Sequence, residues 1–156
     1  MNVIKRNGSS EHVDFNKITN RLSKICSEMN LGDSVQPILI SQKVCSAIHD
    51  NIRTTELDIL ASEIAMSMST IHPGYGKLAG YIVCSDMHKN NKMNFYKISK
   101  LLHETGILSN ENMDIVIKHK KSILNAIKYE NDYKFDFFGL KTLQRSYLLK
   151  AKDNCV

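Results

Sequence analysis

Residues 3–18 read Val3-Ile4-Lys5-Arg6-Asn7-Gly8-Ser9-Ser10-Glu11-His12-Val13-Asp14-Phe15-Asn16-Lys17-Ile18, and this stretch decides the fold. Two short extended runs flank Asn7-Gly8, a pair that tolerates positive φ, so the spacing predicts a β-hairpin. Immediately afterwards the period changes. Phe15, Ile18, Leu22, Ile25 and Met29 recur at helical spacing and draw one apolar stripe. Lys17, Arg21 and Lys24 form a basic stripe on a different face. Asp14 or Asn16 caps the start of this helix, and Asn30-Leu31-Gly32 ends it. A hairpin that runs into an amphipathic helix makes the N-terminal part α+β.

Three more helices follow. Pro37 suits a first-turn position, and the helix it opens carries Ile40, Val44 and Ile48. Thr55-x-x-Asp58 has the form of a capping box, with Leu57, Leu60, Ala61, Ile64, Ala65 and Met68 on one face behind it. His72-Pro73-Gly74-Tyr75-Gly76 interrupts the pattern. A fourth helix from about Tyr75 then buries Leu78, Ile82, Val83 and Met87. The polar run Lys89-Asn90-Asn91-Lys92 marks a boundary, dividing the chain into units 1–91 and 92–156. Beyond it the periodicity predicts helices over 94–103 and 113–128. An aromatic cluster (Tyr133, Phe135, Phe137, Phe138) comes next, packed on a last helix near Leu140–Lys150. The expected class is α+β, mostly α.

Composition narrows the function. At 156 residues the chain fits one ordinary domain, or a small domain plus part of another. With 42% apolar and 24% charged residues it is too balanced for wholesale disorder. No apolar run approaches a membrane span and no secretory leader pattern opens the chain, so a soluble, cytoplasmic chain without membrane partners is expected. Cys26, Cys45, Cys84 and Cys155 lack any CxxC pairing, which argues against zinc ribbons, redox dithiols and disulfide scaffolds. The first three fall in predicted helices and read as small core residues. The net charge of +5 suggests polyanions, yet 17 Lys, 17 Ile and 14 Asn beside 4 Arg is the bias of an A+T-rich genome. With few Arg and no Trp, no nucleic-acid partner is expected. The six histidines show no ligand spacing, and His72 before Pro73 reads as a turn cap, so no metal site is expected. Lys118-His119-Lys120-Lys121 reads as a solvated helix face.

One region could bind an anion. Lys5 and Arg6 lie on the first arm of the hairpin, Lys17 and Arg21 on the helix after it, and Thr54 and Thr55 at a helix start. Free N–H groups and the helix dipole favour phosphate at such a start, with Asp58 available to accept from a base or sugar. Neither GxxxxGK[ST] nor GxGxxG occurs. On spacing alone the same residues read first as solvated charges around a helix cap.

The opening Val3 to Gly8 and Glu11 to Ile18 resembles the start of an ATP-cone. So do Thr54-Thr55-Glu56-Leu57-Asp58 and the His72-Pro73-x-Tyr75-x-x-Leu78-Ala79 run leading to His88-Lys89. In this arrangement the cone resembles the N-terminus of the large, catalytic chain of class I ribonucleoside-diphosphate reductase, eukaryotic or large-DNA-virus type. Asp114-Ile115-Val116, Asn125-Ala126-Ile127 and Phe138-Gly139-Leu140-Lys141-Thr142-Leu143-Gln144-Arg145-Ser146-Tyr147-Leu148-Leu149-Lys150 resemble the same family just before its ten-stranded α/β barrel. The likeness covers about 1–150, and Ala151 to Val156 is expected to depart from it.

The resemblance implies an allosteric activity site for ATP or dATP with Mg²⁺, serving deoxyribonucleotide synthesis. It implies nucleotide contacts at Lys5, Arg6, Glu11, His12, Val13, Asp14, Phe15, Asn16, Lys17, Arg21, Thr54, Asp58 and Lys89. The implied partners are reductase large and small chains and a second copy through the cone. The family's radical-bearing cysteine, redox cysteine pair, acid–base partners and specificity site lie downstream. A truncated or split chain, without catalytic residues and not catalytic alone, is therefore expected. Asn16, Arg53, Gly74, Gly80-Tyr81 and Asp86 depart from the family pattern, which has Asp, Thr, an acidic residue, Ala-Arg and Asn there. Two other roles stay open: an interaction protein that joins or inhibits a full-length reductase, and a nucleotide-responsive transcriptional regulator.

Overall fold

A computed structural model describes residues 1–151, 154 and 155, with 150, 151, 154 and 155 described by their backbone alone. The expected hairpin forms from β1 (Asn2–Ile4) and β2 (Ser10–His12), antiparallel with Val3 opposite Glu11. Its turn is longer than a two-residue Asn-Gly turn. Gly8 N–H donates to the Lys5 carbonyl at 2.9 Å and Lys5 N–H to the Ser9 carbonyl at 2.8 Å. Only Gly8 takes positive φ in this loop, at 84°. Asn7 contributes through its side chain instead, accepting from Ser9 N–H at 3.0 Å.

A third strand, β3 (Ile52–Arg53), pairs parallel with β1 and gives the order β2-β1-β3. Two residues are too few to display a period, so no strand was expected there. Asn51, at φ 60°, turns the chain into it and donates its N–H to the Asn2 carbonyl at 2.9 Å. β3 runs straight into α3 (Thr54–Ser67), which brings the first turn of α3 beside the hairpin loop.

The helices start where local chemistry satisfies their free N–H groups. Of the two expected caps of α1 (Phe15–Glu28), Asp14 is the one used, accepting from Asn16 N–H at 2.8 Å. α2 (Pro37–Ala47) opens at Pro37. The expected Thr55–Asp58 box does not form. Glu56 accepts from Arg53 N–H at 3.0 Å, so α3 is capped two residues earlier and Asp58 is left to point into the protein. α4 (Pro73–Asn90) likewise begins before Tyr75, because His72 Nδ1 accepts from Gly74 N–H at 3.1 Å and Pro73 suits the first helical position. These elements enclose one core, in which Ile40, Val44, Leu78 and Ile82 are at most 1% exposed.

The later helices differ from expectation in three respects. α5 (Phe95–Glu104) is where expected, but 113–128 divides at His119 into α6 (Asn110–Lys118) and α7 (Lys120–Ala126). The last helix, expected at Leu140–Lys150, starts earlier as α8 (Phe137–Thr142), because Asp136 caps it by accepting from Gly139 N–H at 2.6 Å. It then widens into a π-helical turn over Leu143–Tyr147, where Leu148 N–H reaches the Leu143 carbonyl at 2.9 Å. Backbone strands β4 (Lys150–Ala151) and β5 (Asn154–Cys155) follow; the side chain of Cys155 lies outside what is described.

The aromatic cluster divides between α4 and the last helix: Tyr133 packs on α4, Phe135 lies beside Gly139, and Phe137 and Phe138 belong to α8 itself. The Tyr133 ring lies 4.5 Å from that of Tyr81 and meets His88 edge-on at 5.3 Å. Gly80 makes the approach possible: a Cβ there would stand 3.1 Å from Phe137 N and 3.2 Å from the Phe135 carbonyl oxygen. Phe137 and Leu140 thereby join the first core, while Phe135 and Phe138 stay exposed. Among the described residues no helix is long and apolar enough to cross a membrane.

Candidate functional site

Asp58, 2% exposed, sits under three cations. Arg6 Nη2 lies 3.0 Å and Lys89 Nζ 3.5 Å from its Oδ2, and Arg21 Nη1 donates to its Oδ1. Burial pushes the Asp58 carboxyl up, but Arg21 and Arg6 pull it further down, so it titrates below the ordinary carboxylate value. Burial also pushes Lys89 down, reinforced by Arg21 and Arg6 and opposed by Asp58. A second carboxylate, Asp86 on α4, accepts from the same Arg6 Nη2. Asn90 completes the cluster: its Oδ1 accepts from Arg6 Nε at 3.0 Å and its Nδ2 donates to Asp86 Oδ2 at 3.0 Å.

Two cavities flank this cluster. The smaller, about 170 Å³, lies between the end of the hairpin, α1 and α3. Val13, Ile18, Leu22, Val44, Leu57 and Ile82 give it apolar walls, and Glu11, Lys17, Arg21 and Asp58 give it charge. Arg21 Nη2 is buried and has no hydrogen-bond partner among the described residues. Leaving such a donor unpaired costs about 1–3 kcal/mol, so a ligand acceptor would relieve it. The larger cavity, about 880 Å³, is lined by Lys5, Arg6, Arg53, Lys89 and Lys92, with no Asp or Glu in its wall among the described residues. Thr54 and Thr55 bring the N-terminus of α3 to it, and Thr54 lines both cavities. Glu11 ties the sides together, with Lys5 Nζ at 2.5 Å and Lys17 Nζ at 3.1 Å; the two lysines lower its carboxyl.

The expected residues therefore converge, with two exceptions. Glu11, His12, Val13, Asp14, Lys17, Arg21, Thr54 and Asp58 line the smaller cavity; Lys5, Arg6, Thr54 and Lys89 line the larger. Phe15 and Asn16 line neither. They form the first turn of α1, where Asp14 holds the Asn16 N–H. Asp86, Asn90, Arg53 and Lys92 were not expected at the site. Asp86, Lys89 and Asn90 are spaced i, i+3, i+4 on one helix, the one local sign that they share a face.

Among the described residues, the thiols are not arranged for nucleophilic chemistry. Cys84 Sγ lies 3.9 Å from His88 Nε2, and Asp132 Oδ2 lies 2.8 Å from that same nitrogen. One ring nitrogen serves both neighbours, whereas a base oriented by a carboxylate needs one on each side. Burial and Asp132 push the Cys84 thiol up to about 11, and burial also raises Cys26 and Cys45. Cys26 and Cys84 lie in the core as expected, whereas Cys45 is half-buried at its edge and is not one of the core residues. No cluster of three His, Cys, Asp or Glu side chains fit to hold a metal occurs among the described residues.

Comparison with known proteins agrees with this architecture. The ATP cone domain model matches residues 1–90. The ribonucleoside-diphosphate reductase large subunit of Monkeypox virus is 42% identical, over 100% of this chain and 21% of its own length. The large chain of Schizosaccharomyces pombe is 42% identical over 96% of this chain and 20% of its own. The large subunit of Dictyostelium discoideum is 43% identical over 100% of this chain and 19% of its own. The similarity is to the N-terminal region of these subunits, and the chain spans about a fifth of their length. The aligned region extends over residues 151–156, where the sequence had been expected to depart. With residues 1–90, the stretch that forms the hairpin and α1–α4, matched by that model, the chain belongs to the ATP-cone family.

Proposed function

We propose that this chain is the nucleotide-sensing module of a ribonucleoside-diphosphate reductase large chain, binding ATP or dATP where its two cavities meet. The observation that carries this reading is the division of labour on either side of Thr54. The apolar cavity beneath Arg21 suits a base and sugar, with Glu11 and Asp58 as acceptors and the unpaired Arg21 Nη2 as donor. The cavity lined by Lys5, Arg6 and Lys89 suits the phosphates, which also meet the start of α3. Phe15 and Asn16 act through the placement of α1. Mg²⁺ enters with the phosphates as their counter-ion, since Asp58 and Asp86 are both engaged by Arg6. Residues 1–91 form the sensing unit, and reductase large and small chains, with a second copy of the cone, are its partners.

Titration calorimetry of the chain with ATP and with dATP, each with Mg²⁺, tests this. Saturable binding is expected. Lys5→Ala and Lys17→Ala probe one cavity each, and both side chains are exposed enough (43% and 62%) to be removed without unfolding the core. Each should weaken binding about threefold to tenfold. A folded chain that gives no heat with either nucleotide at millimolar concentration would overturn the reading.

A further inference from the structure

The Arg6 guanidinium is held on three sides. Its Nη2 is shared between Asp58 and Asp86, and its Nε is fixed by Asn90, which is itself anchored on Asp86. Arg6 also lines the cation-rich cavity with Lys5 and Lys89. An anion entering that cavity therefore meets an arginine that already has an anion. We infer that Asp86 is a built-in competitor for phosphate: its carboxylate occupies the arginine that a nucleotide's phosphates must recruit, so binding exchanges Arg6 from Asp86 to the ligand.

The two carboxylates differ in what the exchange does to them. Asp58 keeps Arg21 and Lys89 when Arg6 turns away. Among the described residues, the ion pair of Asp86 is with Arg6 alone. At 9% exposure it would be left buried beside the like charge of Asp58. Burial and Asp58 already push its carboxyl up even with Arg6 in place. Loss of the pair and repulsion of the phosphates act in the same direction, and both lower affinity. The site is built to respond to high nucleotide concentrations.

This inference rests on the nucleotide reading given above, and the test separates the two. The chain, Asp86→Asn and Asp86→Glu are titrated with Mg-ATP and with inorganic triphosphate. Asp86→Asn keeps the size and an acceptor for Arg6 but removes the charge. It should bind both probes about tenfold tighter, the scale of one charge-assisted hydrogen bond, while Asp86→Glu stays near the parent chain. Equal or weaker binding by folded Asp86→Asn, with the parent chain still binding ATP, would overturn the competitor role alone. No binding by either folded protein would overturn the nucleotide reading and this inference with it. If Asp86→Asn does not melt cooperatively, Asp86→Ser supplies the neutral variant, judged by the same outcomes.

Discussion

The hairpin with α1–α4 and the later trio α5–α7 are both helical, but they are held together differently. In the first, Ile40, Val44 and Leu78 are fully buried, and charged groups 37 to 80 residues apart meet around Asp58. In the second, the buried apolar residues are Leu102, Met113 and Val116, while Ile107, Ile115 and Ile117 stay 47–55% exposed. Its ion pair, Lys100–Glu104 at 3.7 Å, spans one helical turn and is 62% and 59% exposed. Opposite charges in water contribute little, whereas charges taken out of water depend wholly on their partners. The site accordingly lies in the part that takes a carboxylate out of water and surrounds it with cations distant in sequence.

Removing the centre of the buried cluster should have the largest effect. Asp58→Ala leaves Arg6, Arg21 and Lys89 facing one another and should destabilise the chain by about 3–5 kcal/mol in urea unfolding, where loss of Lys100–Glu104 by Lys100→Ala should leave the midpoint unmoved. A loss below about 1 kcal/mol for Asp58→Ala would erase the distinction between the two regions. Next come the cores. Leu78→Ala, at a fully buried position, should cost about 3–4 kcal/mol, and Leu102→Ala, 8% exposed in the smaller cluster, nearer 2 kcal/mol. Equal losses would show the trio to be as well packed as the first core.

The smallest effect is one of pH. Asp58 is depressed, so its contribution is present above its unfolded value near 3.8 and is lost as pH falls through its lower folded value. Asp86 is raised, so its contribution has the opposite sign: it is present below 3.8 and is lost as pH rises through the higher folded value. Any stability that Asp86→Asn gains at neutral pH should therefore shrink as pH is lowered through the folded value of Asp86, and vanish by about 3.8. Urea midpoints of the two proteins across that range supply the check, and a difference that does not change with pH would assign the Asp86 charge no role in stability.

Local chemistry made much of this legible beforehand. The hairpin, the Asp14 cap, the Pro37 start and the apolar stripe of α1 each depend on residues within one turn of one another. The misreadings share a cause as well. Thr55 and Asp58 have capping spacing, but Glu56 reaches the Arg53 N–H first. The aromatic segment was read as a partner for the helix after it alone, but Gly80, more than fifty residues earlier, opens space for it on α4 as well. β3 escaped because its pairing with β1 is the only thing that makes two residues a strand.

From the order of its residues alone, this chain announced a hairpin, an amphipathic succession of helices, thiols destined for the core and basic groups suited to an anion. It took folding to gather Arg6, Arg21, Asp58, Asp86 and Lys89 into one cluster, to leave Arg21 Nη2 without an acceptor among the described residues and to place Asp86 on the arginine that faces the larger cavity. Helical and strand periods describe neighbours a few residues apart. Which charges meet across dozens of residues depends on how the elements cross, and that is set by the packing of the whole core.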